Sequence, residues 1–337
     1  MLLNLFRKPK VKLIRSQIHL TNRCNLNCIF CGNPQIFADR KDLPDEKWEE
    51  IVEDLCELKA KELTISGGGE PLLRRKLLIE ILTKVKENGM KTGVITNGTL
   101  VSRSFARKIV ETRCDEWRTS VHSPFVSTDS RLRGKNFVKK TFDGIKFIAE
   151  WKRKLSSDSP KLEIWMVITK LNVNHVEAMI KKAKKIGANS VSLRMVNPPT
   201  NKLYPTRRQV KMFIKKLEFY KKLGESYGIE VRWHFSPEEI VKPYGFDGGK
   251  FKGITCLLPF HEIVVFADGR VAPCCNFIMS GYESLAIEDV RTKRLKEIWK
   301  GKKFKHFRKL MLKGERPERC SECTPDFKAV DEEYRQC

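Results

Sequence analysis

The sequence predicts an α/β fold, with an open, TIM-like partial (β/α)6 barrel followed by a small cysteine-bearing domain. Two observations predict it. Short runs rich in β-branched residues alternate with amphipathic helical patterns over the first 200 residues, and most cysteines fall into two groups, near the start and in the last quarter of the chain. Six strands that alternate with helices form a parallel sheet with right-handed crossovers, and six are too few to close an eight-stranded barrel.

Six short runs have the composition and length of buried strands. They are Gln17–Leu20, Glu62–Ser66, Thr92–Thr96, Glu116–Val121, Leu162–Thr169 and Ser190–Val196. Five segments between them repeat apolar residues at helical spacing and are predicted as helices. They are Asp45–Lys59, Arg74–Asn88, Ser102–Thr112, Val138–Lys154 and Val176–Ile186. Ligands of such sheets bind at the carboxyl ends of the strands, so we expect a site there.

The alternation of strands and helices stops at Asn197-Pro198-Pro199, and this break divides the chain. Residues 1–200 are predicted as the barrel, 201–250 as a connecting segment and 251–337 as the small domain. The connecting segment contains one predicted helix and one predicted strand, Thr206–Tyr227 and Glu230–His234. The small domain contains a predicted hairpin whose strands and turn are His261–Phe266, Arg270–Ala272 and Asp268-Gly269.

The composition places the chain in the cytoplasm. No apolar run approaches the ~18 residues that a membrane span needs, and the first residues contain too few apolar side chains for a signal peptide. The eleven cysteines are an odd number in a compartment that keeps thiols reduced. They therefore indicate metal or catalytic use rather than disulfides. Cys56 and Cys114 stand apart from the two groups and are predicted as core residues.

Cys24, Cys28 and Cys31 directly follow the first predicted strand. Three thiolates within eight residues can bind one small inorganic centre, and their softness selects iron–sulfur or zinc. A four-iron cluster with three protein ligands would keep one iron open to a substrate or cofactor. Spacing alone leaves two alternatives, a redox pair formed by Cys28 and Cys31 or part of a zinc site.

The second cysteine group reads Cys256-x12-Gly269-x4-Cys274, followed by Cys320-x2-Cys323. Four thiolates fit a closed site in which every ligand is a cysteine. Zinc and a fully ligated iron–sulfur cluster both suit that donor set, and spacing does not separate them.

The first motif resembles the signature of the radical S-adenosylmethionine (SAM) superfamily, including an aromatic residue, Phe30, before the last cysteine. Further matches follow in the expected order along the chain. Ser66 to Pro71 resembles the family's GGE motif, and Thr96-Asn97-Gly98 resembles its TNG motif. Arg118 to His122 resembles the VSLDG region with His122 in place of Asp, and Arg131 to Gly134 resembles the RG element.

The resemblance implies a four-iron cluster on Cys24, Cys28 and Cys31, with SAM bound to its open iron. The GGE motif, with Glu70, would hold the amino group of SAM, and Arg133 would meet its carboxylate. Glycines let the backbone approach a ligand closely, and the two charges are those that SAM needs. The cofactor-binding residues implied in this way are Phe30, Gly67, Gly68, Gly69, Glu70, Pro71, Asn97, Ser120 and Arg133.

The second group resembles the SPASM/twitch extension of radical SAM enzymes. Few cysteines follow Cys323, as in the shorter twitch form with a single auxiliary 4Fe-4S cluster. The ligands implied by the resemblance are Cys256, Cys274, Cys320 and Cys323. Cys274 fits the Gly-x4-Cys count better than the adjacent Cys275, and Cys337, the last residue, has no assigned role.

The resemblance also implies an activity. Reductive cleavage of SAM yields a 5′-deoxyadenosyl radical that abstracts hydrogen from a substrate, and the auxiliary cluster accepts the electron left behind. The product would be an oxidised or cross-linked peptide, or a sugar-like small molecule. A reduced flavodoxin or ferredoxin would supply the first electron. His122, at the end of the fourth strand, is a candidate proton acceptor, with a structural histidine as the alternative.

The formal charge of +25 is concentrated in Arg291–Arg319, which holds thirteen Lys and Arg against three Glu. Its apolar residues recur at helical spacing and predict a helix pair with a solvated basic face. The charge could also dock RNA, an acidic peptide, a phosphorylated substrate or an acidic electron donor. Modification of RNA is therefore the alternative function. A non-enzymatic RNA-binding protein with two metal sites would leave Gly67–Glu70 and Arg133 without a purpose.

Overall fold

The computed structural model describes residues 9–31, 40–196, 202–235, 237–240, 256–274, 286–315 and 320. The described strands form one sheet in the order β10-β9-β8-β1-β2-β3-β4-β5-β6-β7. They are β1 Arg15–Ile18, β2 Glu62–Ile65, β3 Lys91–Thr96, β4 Glu116–Ser120, β5 Lys161–Ile168, β6 Ser190–Met195, β7 Glu230–Trp233, β8 Glu262–Val265, β9 Arg270–Ala272 and β10 Glu288–Asp289. The pairs from β8 through β1 to β7 are parallel, and β9 and β10 add antiparallel.

Helices connect the parallel strands and cover one side of the sheet. Those of the barrel are α1 Asp45–Glu57, α2 Arg75–Glu87, α3 Arg103–Glu111, α4 Val126–Arg133, α5 Val138–Lys154 and α6 Val176–Ile186. Those that follow are α7 Arg207–Lys215, α8 Leu217–Tyr227, α9 Pro237–Ile240, α10 Leu258–His261, α11 Leu295–Lys300 and α12 Lys302–Lys313. Among the described helices, none combines the length and apolar character of a membrane span.

The predicted strands of the barrel are confirmed. Five of them differ from the observed strands by at most one residue at either end, whereas β1 begins and ends two residues before its predicted range. The hydrogen-bonded register explains this shift, because the backbone of β1 pairs with β2 from Arg15 to Ile18. The chain therefore leaves the regular strand early, and the loop that carries the first cysteines begins at His19.

Two helical assignments from the sequence need correction. Helix α4 was not predicted because its sequence is mostly polar, yet Asp129, Leu132 and Arg133 on it are buried. The predicted helix Thr206–Tyr227 is divided at Lys216 into α7 and α8. A reciprocal capping box between Thr206 and Gln209 marks the beginning of α7.

The sheet crosses both predicted domain boundaries. Strand β7, from the predicted connecting segment, pairs in parallel with β6. Strand β8, from the predicted small domain, pairs in parallel with β1, with Arg15 opposite Glu262 and Ile18 opposite Val265. The parallel part of the sheet therefore has two strands more than the six predicted. The sheet remains open, because β7 and β10 are the two ends of its order among the described strands.

The two faces of the sheet differ in chemistry because successive residues of a strand point to opposite sides. Ile18, Ile65 and Val265 belong to the main apolar core, on the side that the helices cover. The alternate residues form what we call the inner face, where Gln17 of β1 lies in register with Val264 of β8. The inner face of the barrel strands also carries polar and aromatic side chains, among them Thr64, Arg118, Glu163, Trp165 and Arg194.

A buried carboxylate joins α1 to the C-terminal helix pair. Asp54 has no exposed surface, and it accepts hydrogen bonds from Arg294 Nη2 at 2.7 Å and from the backbone N–H of Lys296 at 3.3 Å. Burial alone would raise the pKa of Asp54, but the bonds and charges of Arg294 and Lys296 hold this pKa below its ordinary value. The C-terminal region is thus attached to the outside of the barrel as well as to β1.

We expect Asp54→Asn to lower the free energy of unfolding by about 2 kcal/mol at neutral pH, because charge-assisted hydrogen bonds to Arg294 are lost. The folded pKa of Asp54 is depressed, so its stabilising contribution is complete above the ordinary value of 3.8 and is lost as the pH falls through the folded value. Denaturant unfolding at several pH values measures the difference between variant and wild type.

The control for this experiment is Glu57→Gln on the same helix. Glu57 pairs with Lys296 at the surface, and exposed ion pairs contribute little to stability. We therefore expect Glu57→Gln to leave the free energy of unfolding almost unchanged. An Asp54→Asn difference that persists unchanged in acid would contradict the role assigned to the Asp54 carboxylate.

Candidate functional site

The three cysteines of the first group lie on the loop that leaves the carboxyl end of β1. Cys24 and Cys31 are exposed and Cys28 is half-buried. The backbone N–H of Cys31 donates to the carbonyl of Cys28 at 3.0 Å, and that of Ile29 donates to Leu132 of α4 at 3.0 Å. The loop is therefore held over the edge of the sheet by the helix that sequence reasoning missed.

The three thiols share one electrostatic environment. Burial, together with the neighbouring thiols of Cys31 and Cys24, raises the pKa of Cys28 to about 12, against the lowering effect of the Arg133 charge. Burial also raises the pKa of Cys24. The Cys28 thiol is therefore protonated at neutral pH, and iron binding must displace its proton. Among the described residues, no three His, Cys, Asp or Glu side chains surround a single-ion position.

The glycines of Gly67–Gly69 pack against residues 19–23 of the cysteine loop. Gly67 and Gly68 have φ values of +66° and +61°, which side chains disfavour. A Cβ on Gly68 would lie 2.6 Å from the carbonyl oxygen of Thr21, and one on Gly69 would collide with the backbone of the same loop. The N–H of Gly69 donates to Thr21 at 2.7 Å. These glycines therefore permit close approach to the protein's own cysteine loop.

Glu70 is oriented into the protein. Its side chain is 2% exposed, and it accepts hydrogen bonds from Thr96 Oγ1 at 2.5 Å and from the backbone N–H groups of Asn97 at 2.7 Å and Leu72 at 3.0 Å. Burial raises the pKa of Glu70, against the opposing effect of these bonds. The carboxylate thus fixes the loop after β3 to the loop after β2. Its predicted contact with the SAM amino group stays a prediction.

Arg133 is also enclosed by the protein, with 1% of its surface exposed. Its guanidinium donates to the carbonyl of Asn97 at 2.7 Å, to Thr141 Oγ1 at 2.9 Å and to Asp129 at 3.3 Å. The pair with Asp129 spans one turn of α4, a spacing that could have predicted this helix. The guanidinium joins α4 and α5 to the loop after β3, and its predicted contact with the SAM carboxylate stays a prediction.

His122 is buried against the backbone of β5 and the ring of Phe30. It is 3% exposed, its Nδ1 accepts a hydrogen bond from the N–H of Val167 at 3.1 Å, and Phe30 covers its ring edge-on at 4.8 Å. Burial, with the nearby charge of Arg133, lowers the pKa of His122 to about 3. A neutral ring whose Nδ1 lone pair is engaged carries its proton on Nε2. This geometry favours the alternative of a structural histidine, and the role of His122 as proton acceptor stays a prediction.

The other predicted cofactor-binding residues lie around the same edge of the sheet. Phe30 is on the cysteine loop against His122, and Pro71 begins the 3-10 turn after the glycines. Asn97 Nδ2 donates to Asn25 at 2.7 Å and lies 3.9 Å from the sulfur of Cys24. Ser120 is the last residue of β4. Their individual contacts with SAM stay predictions.

The side-chain amide of Asn22, which lies beside the glycines, indicates whether a polar ligand fits at this position. Asn22 is 6% exposed, and its Nδ2 has no hydrogen-bond acceptor among the described residues. A Cβ on Gly68 would lie 3.5 Å from the same amide group. A buried donor without a partner is costly unless a bound group satisfies it. Together with three clustered thiols, this donor fits a cluster and a polar cofactor.

The described cysteines of the second group converge on one apolar cluster. Cys256, Cys274 and Cys320 all belong to it or pack against it. Its members from β8, β9 and α12 include Val264, Ala272, Phe307 and Met311. Val264 and Ala272 are paired across the hairpin, so the cluster lies on the inner face. This donor set fits an iron–sulfur centre, whereas Cys275, Cys323 and Cys337 lie outside the described residues.

Of the two cysteines that stand apart from the groups, Cys114 is a core residue as predicted, whereas Cys56 is only half-buried. Cys114 is fully buried in the main apolar core, and Cys56 packs against that core from α1. Sequence reasoning missed the polar residues that hold the loops together, chiefly Thr96, Asp129 and Thr141. Thr96 could have been found from its place in the motif Thr96-Asn97-Gly98, because this motif makes the hydrogen bonds to Glu70.

The fold and the two cysteine groups are those of a class of barrel enzymes that carry iron–sulfur clusters. The family model described as the Radical SAM superfamily matches residues 18–203, more than half of the chain. The chain belongs to the radical SAM superfamily. A second model, the SPASM iron-sulfur cluster-binding domain, matches residues 256–324. The protein therefore binds SAM and two iron–sulfur clusters, one in each region.

Known proteins resemble the chain over most of its length. A PqqA peptide cyclase from Granulibacter bethesdensis is 25% identical over 93% of this chain and 79% of its own. A cofactor-modifying protein for a tungsten-containing aldehyde ferredoxin oxidoreductase, from Pyrococcus furiosus, is 20% identical over 91% and 86%. The crystal structure of Streptococcus suis SuiB superposes with a TM-score of 0.68, 16% identity and coverage of 89% and 68%. This structural similarity confirms the open barrel fold.

We expect Gly68→Ala to remove the first cluster while Gly228→Ala retains it. Both glycines have nearly the same φ, +61° and +65°, so both variants carry the cost of a left-handed alanine, about 1–2 kcal/mol. A Cβ at Gly228 meets no described atom within 4 Å, whereas one at Gly68 is forced against Thr21. Iron content and unfolding of the two variants measure the difference. Equal loss of iron in both would contradict the proposed packing.

We expect His122→Asn to retain substrate oxidation and SAM cleavage within about threefold, because an amide oxygen can accept the Val167 hydrogen bond as Nδ1 does. A proton acceptor would instead contribute about 10²–10⁴-fold to the reaction. The measurement is 5′-deoxyadenosine and product formation in parallel, with His122→Phe as the variant that leaves Val167 unsatisfied. Product loss of that size in His122→Asn, with SAM cleavage intact, would restore His122 as the acceptor.

Proposed function

We propose that this protein oxidises or cross-links a side chain of a peptide substrate that lies against the inner face of the sheet. When bound, SAM and the clusters supply the one-electron chemistry and the 5′-deoxyadenosyl radical. The protein's own residues orient SAM and substrate, exclude water and hold the two centres on one rigid sheet. Conversion of a peptide agrees with the similarity of the chain to a PqqA peptide cyclase.

The observation that carries the proposal is the pairing of β8 with β1. The first cysteine loop leaves the end of β1, and the second cysteine group lies on the inner face beside β8. Cys256 precedes β8 and Cys274 follows the antiparallel strand β9, so the described cysteines of this group lie toward the amino end of β8. A substrate along the inner face would therefore lie between the two groups. With a cluster bound, Cys256, Cys274 and Cys320 would hold an electron acceptor on the substrate side of the sheet, which is the chemistry that net oxidation of a substrate requires.

The inner face offers polar groups to a substrate. The indole N–H of Trp165 is buried without an acceptor among the described residues, and Trp165 is in register with Ser120 at the end of β4. Arg194 stacks on the Trp165 ring at 4.0 Å, and Arg118 pairs with Glu163 at 3.3 Å. Polar donors within a concave site fix the orientation of a polar ligand such as a peptide.

The exposed lysines of α12 support docking of an acidic electron donor. Lys302, Lys305 and Lys309 face solvent, while the apolar side of the helix is buried. A surface of one charge accelerates association with a partner of opposite charge. We propose a reduced flavodoxin or ferredoxin as that partner. Modification of RNA is the second candidate function. The same positive charge supports it, but no contact of the inner face does.

Anaerobic reconstitution should load about eight irons, as two four-iron clusters require, and enable dithionite-dependent formation of 5′-deoxyadenosine. Cys24→Ala should reduce the content to about four irons and abolish SAM cleavage. Cys256→Ala should also retain about four irons and cleave SAM, but it should fail to oxidise the substrate. Metal analysis and mass spectrometry of candidate peptides measure these outcomes.

Two results would contradict the proposal. Stoichiometric zinc without SAM cleavage would exclude a radical enzyme, and wild-type product formation by Cys256→Ala would exclude the second cluster as electron acceptor. Retention of bulk tRNA at physiological salt, without conversion of any peptide, would favour the RNA alternative.

A further inference from the structure

Arg308 on α12 is a buried cation within the C-terminal region. It is 5% exposed. Its Nε donates to the carbonyl of Pro259 at 2.8 Å, and its Nη1 donates to the carbonyl of Trp299 at 2.9 Å. The guanidinium carbon lies 4.1 Å from the centre of the Trp299 ring. These contacts fix the side chain in one position.

The charge of Arg308 is not neutralised within the described part of the chain. No carboxylate of the described residues pairs with it, and its Nη2 is buried without an acceptor among them. A guanidinium cannot lose its proton in a protein, so the positive charge remains. A buried charge without a counter-charge destabilises a fold, and native proteins pair such charges or direct them at a metal centre.

The position of Arg308 indicates what its counter-charge is. Pro259, which accepts from Nε, lies three residues after Cys256. Phe307 and Met311, on the same helix, belong to the apolar cluster that contains Cys274 and contacts Cys256 and Cys320. The hydrogen bond to Pro259 therefore fixes the guanidinium to the segment that begins at Cys256, where a four-iron cluster held by thiolates would bring net negative charge.

We propose that Arg308 is the counter-charge of the auxiliary cluster and raises its reduction potential. The cluster gains one electron on reduction and becomes more negative, and a fixed neighbouring cation stabilises that state more than the oxidised state. Arg308 keeps its proton and forms or breaks no bond in this step. Arg308 acts through its charge on an electron acceptor and does not touch the substrate. The inference depends on the cluster of the SPASM domain and not on the identity of the substrate.

The alternative is a purely structural role. Arg308 joins the end of α11 to the segment before β8 and stacks on Trp299, and both contacts would stabilise the fold with no cluster present. The reduction potential of the auxiliary cluster distinguishes the two roles. If Arg308 is purely structural, removal of its charge does not lower this potential.

The experiment uses the full chain with Cys24, Cys28 and Cys31 replaced by Ala, so that the auxiliary cluster alone is titrated. Arg308→Gln removes the charge, and Arg308→Lys keeps it. Redox titration followed by electron paramagnetic resonance should show about a tenfold higher ratio of oxidised to reduced cluster in Arg308→Gln at a fixed potential, a shift of about 59 mV for one electron. Arg308→Lys should resemble the parent chain.

Lys309→Gln is the matched control, since it removes an equal charge from the adjacent, exposed position of the same helix. It should not change the potential. An unchanged potential in Arg308→Gln, or an equal decrease in Arg308→Lys, would overturn the proposal.

Loss of the cluster in a neutral variant is also decisive. If Arg308→Gln loses the cluster, Arg308→Met is measured as a second neutral variant, because the Met side chain differs in shape from Gln. Iron lost from both neutral variants but retained by Arg308→Lys supports the role of the charge, whereas iron lost from all three assigns the effect to shape and overturns the proposal. The chain used cleaves no SAM, so these outcomes do not depend on the proposed reaction.

Discussion

The pairing of β1 on both of its edges is the constraint on which the rest of the structure depends. Its four residues bond in parallel to β2 on one side and to β8 on the other. The cysteine loop leaves the end of this strand, and the second cysteine group lies along its neighbour β8. A change in the register of either pair would turn side chains to the other face and move both groups at once.

The polar side chains around the first loop act as a frame. Glu70 and Arg133 are each enclosed, and their hydrogen bonds join the loops that follow β2 and β3 to α4 and α5. Buried charges of this kind stabilise only when every bond is formed, so they favour one arrangement of the loops. Such preorganisation suits an enzyme that must hold a reactive species away from water.

Local sequence pattern was sufficient to predict the six strands of the barrel, but it was insufficient to predict how C-terminal strands extend the sheet beyond β1. Runs such as Leu162–Thr169 are apolar and β-branched, and the strands there agree with prediction within one residue. Helix α4 was missed because its buried residues, Asp129 and Arg133, are charged. The partner of β8 could not be predicted, because no local pattern encodes which distant strand it meets. Motif resemblance identified Glu70 and Arg133 as site residues, but it could not show that both are turned inward.

The parallel pairing of β8 with β1 also has a consequence for how the chain is made. Ile18 and Val265 are paired although most of the chain lies between them in sequence. Non-local contacts of this kind form late, and a chain emerging from the ribosome completes its amino-terminal part first. The loop with Cys24 therefore exists for most of synthesis without its second flanking strand. Synthesis of the cysteine loop and completion of the sheet that flanks it are therefore separated in time, which is a property of biogenesis rather than of the folded enzyme.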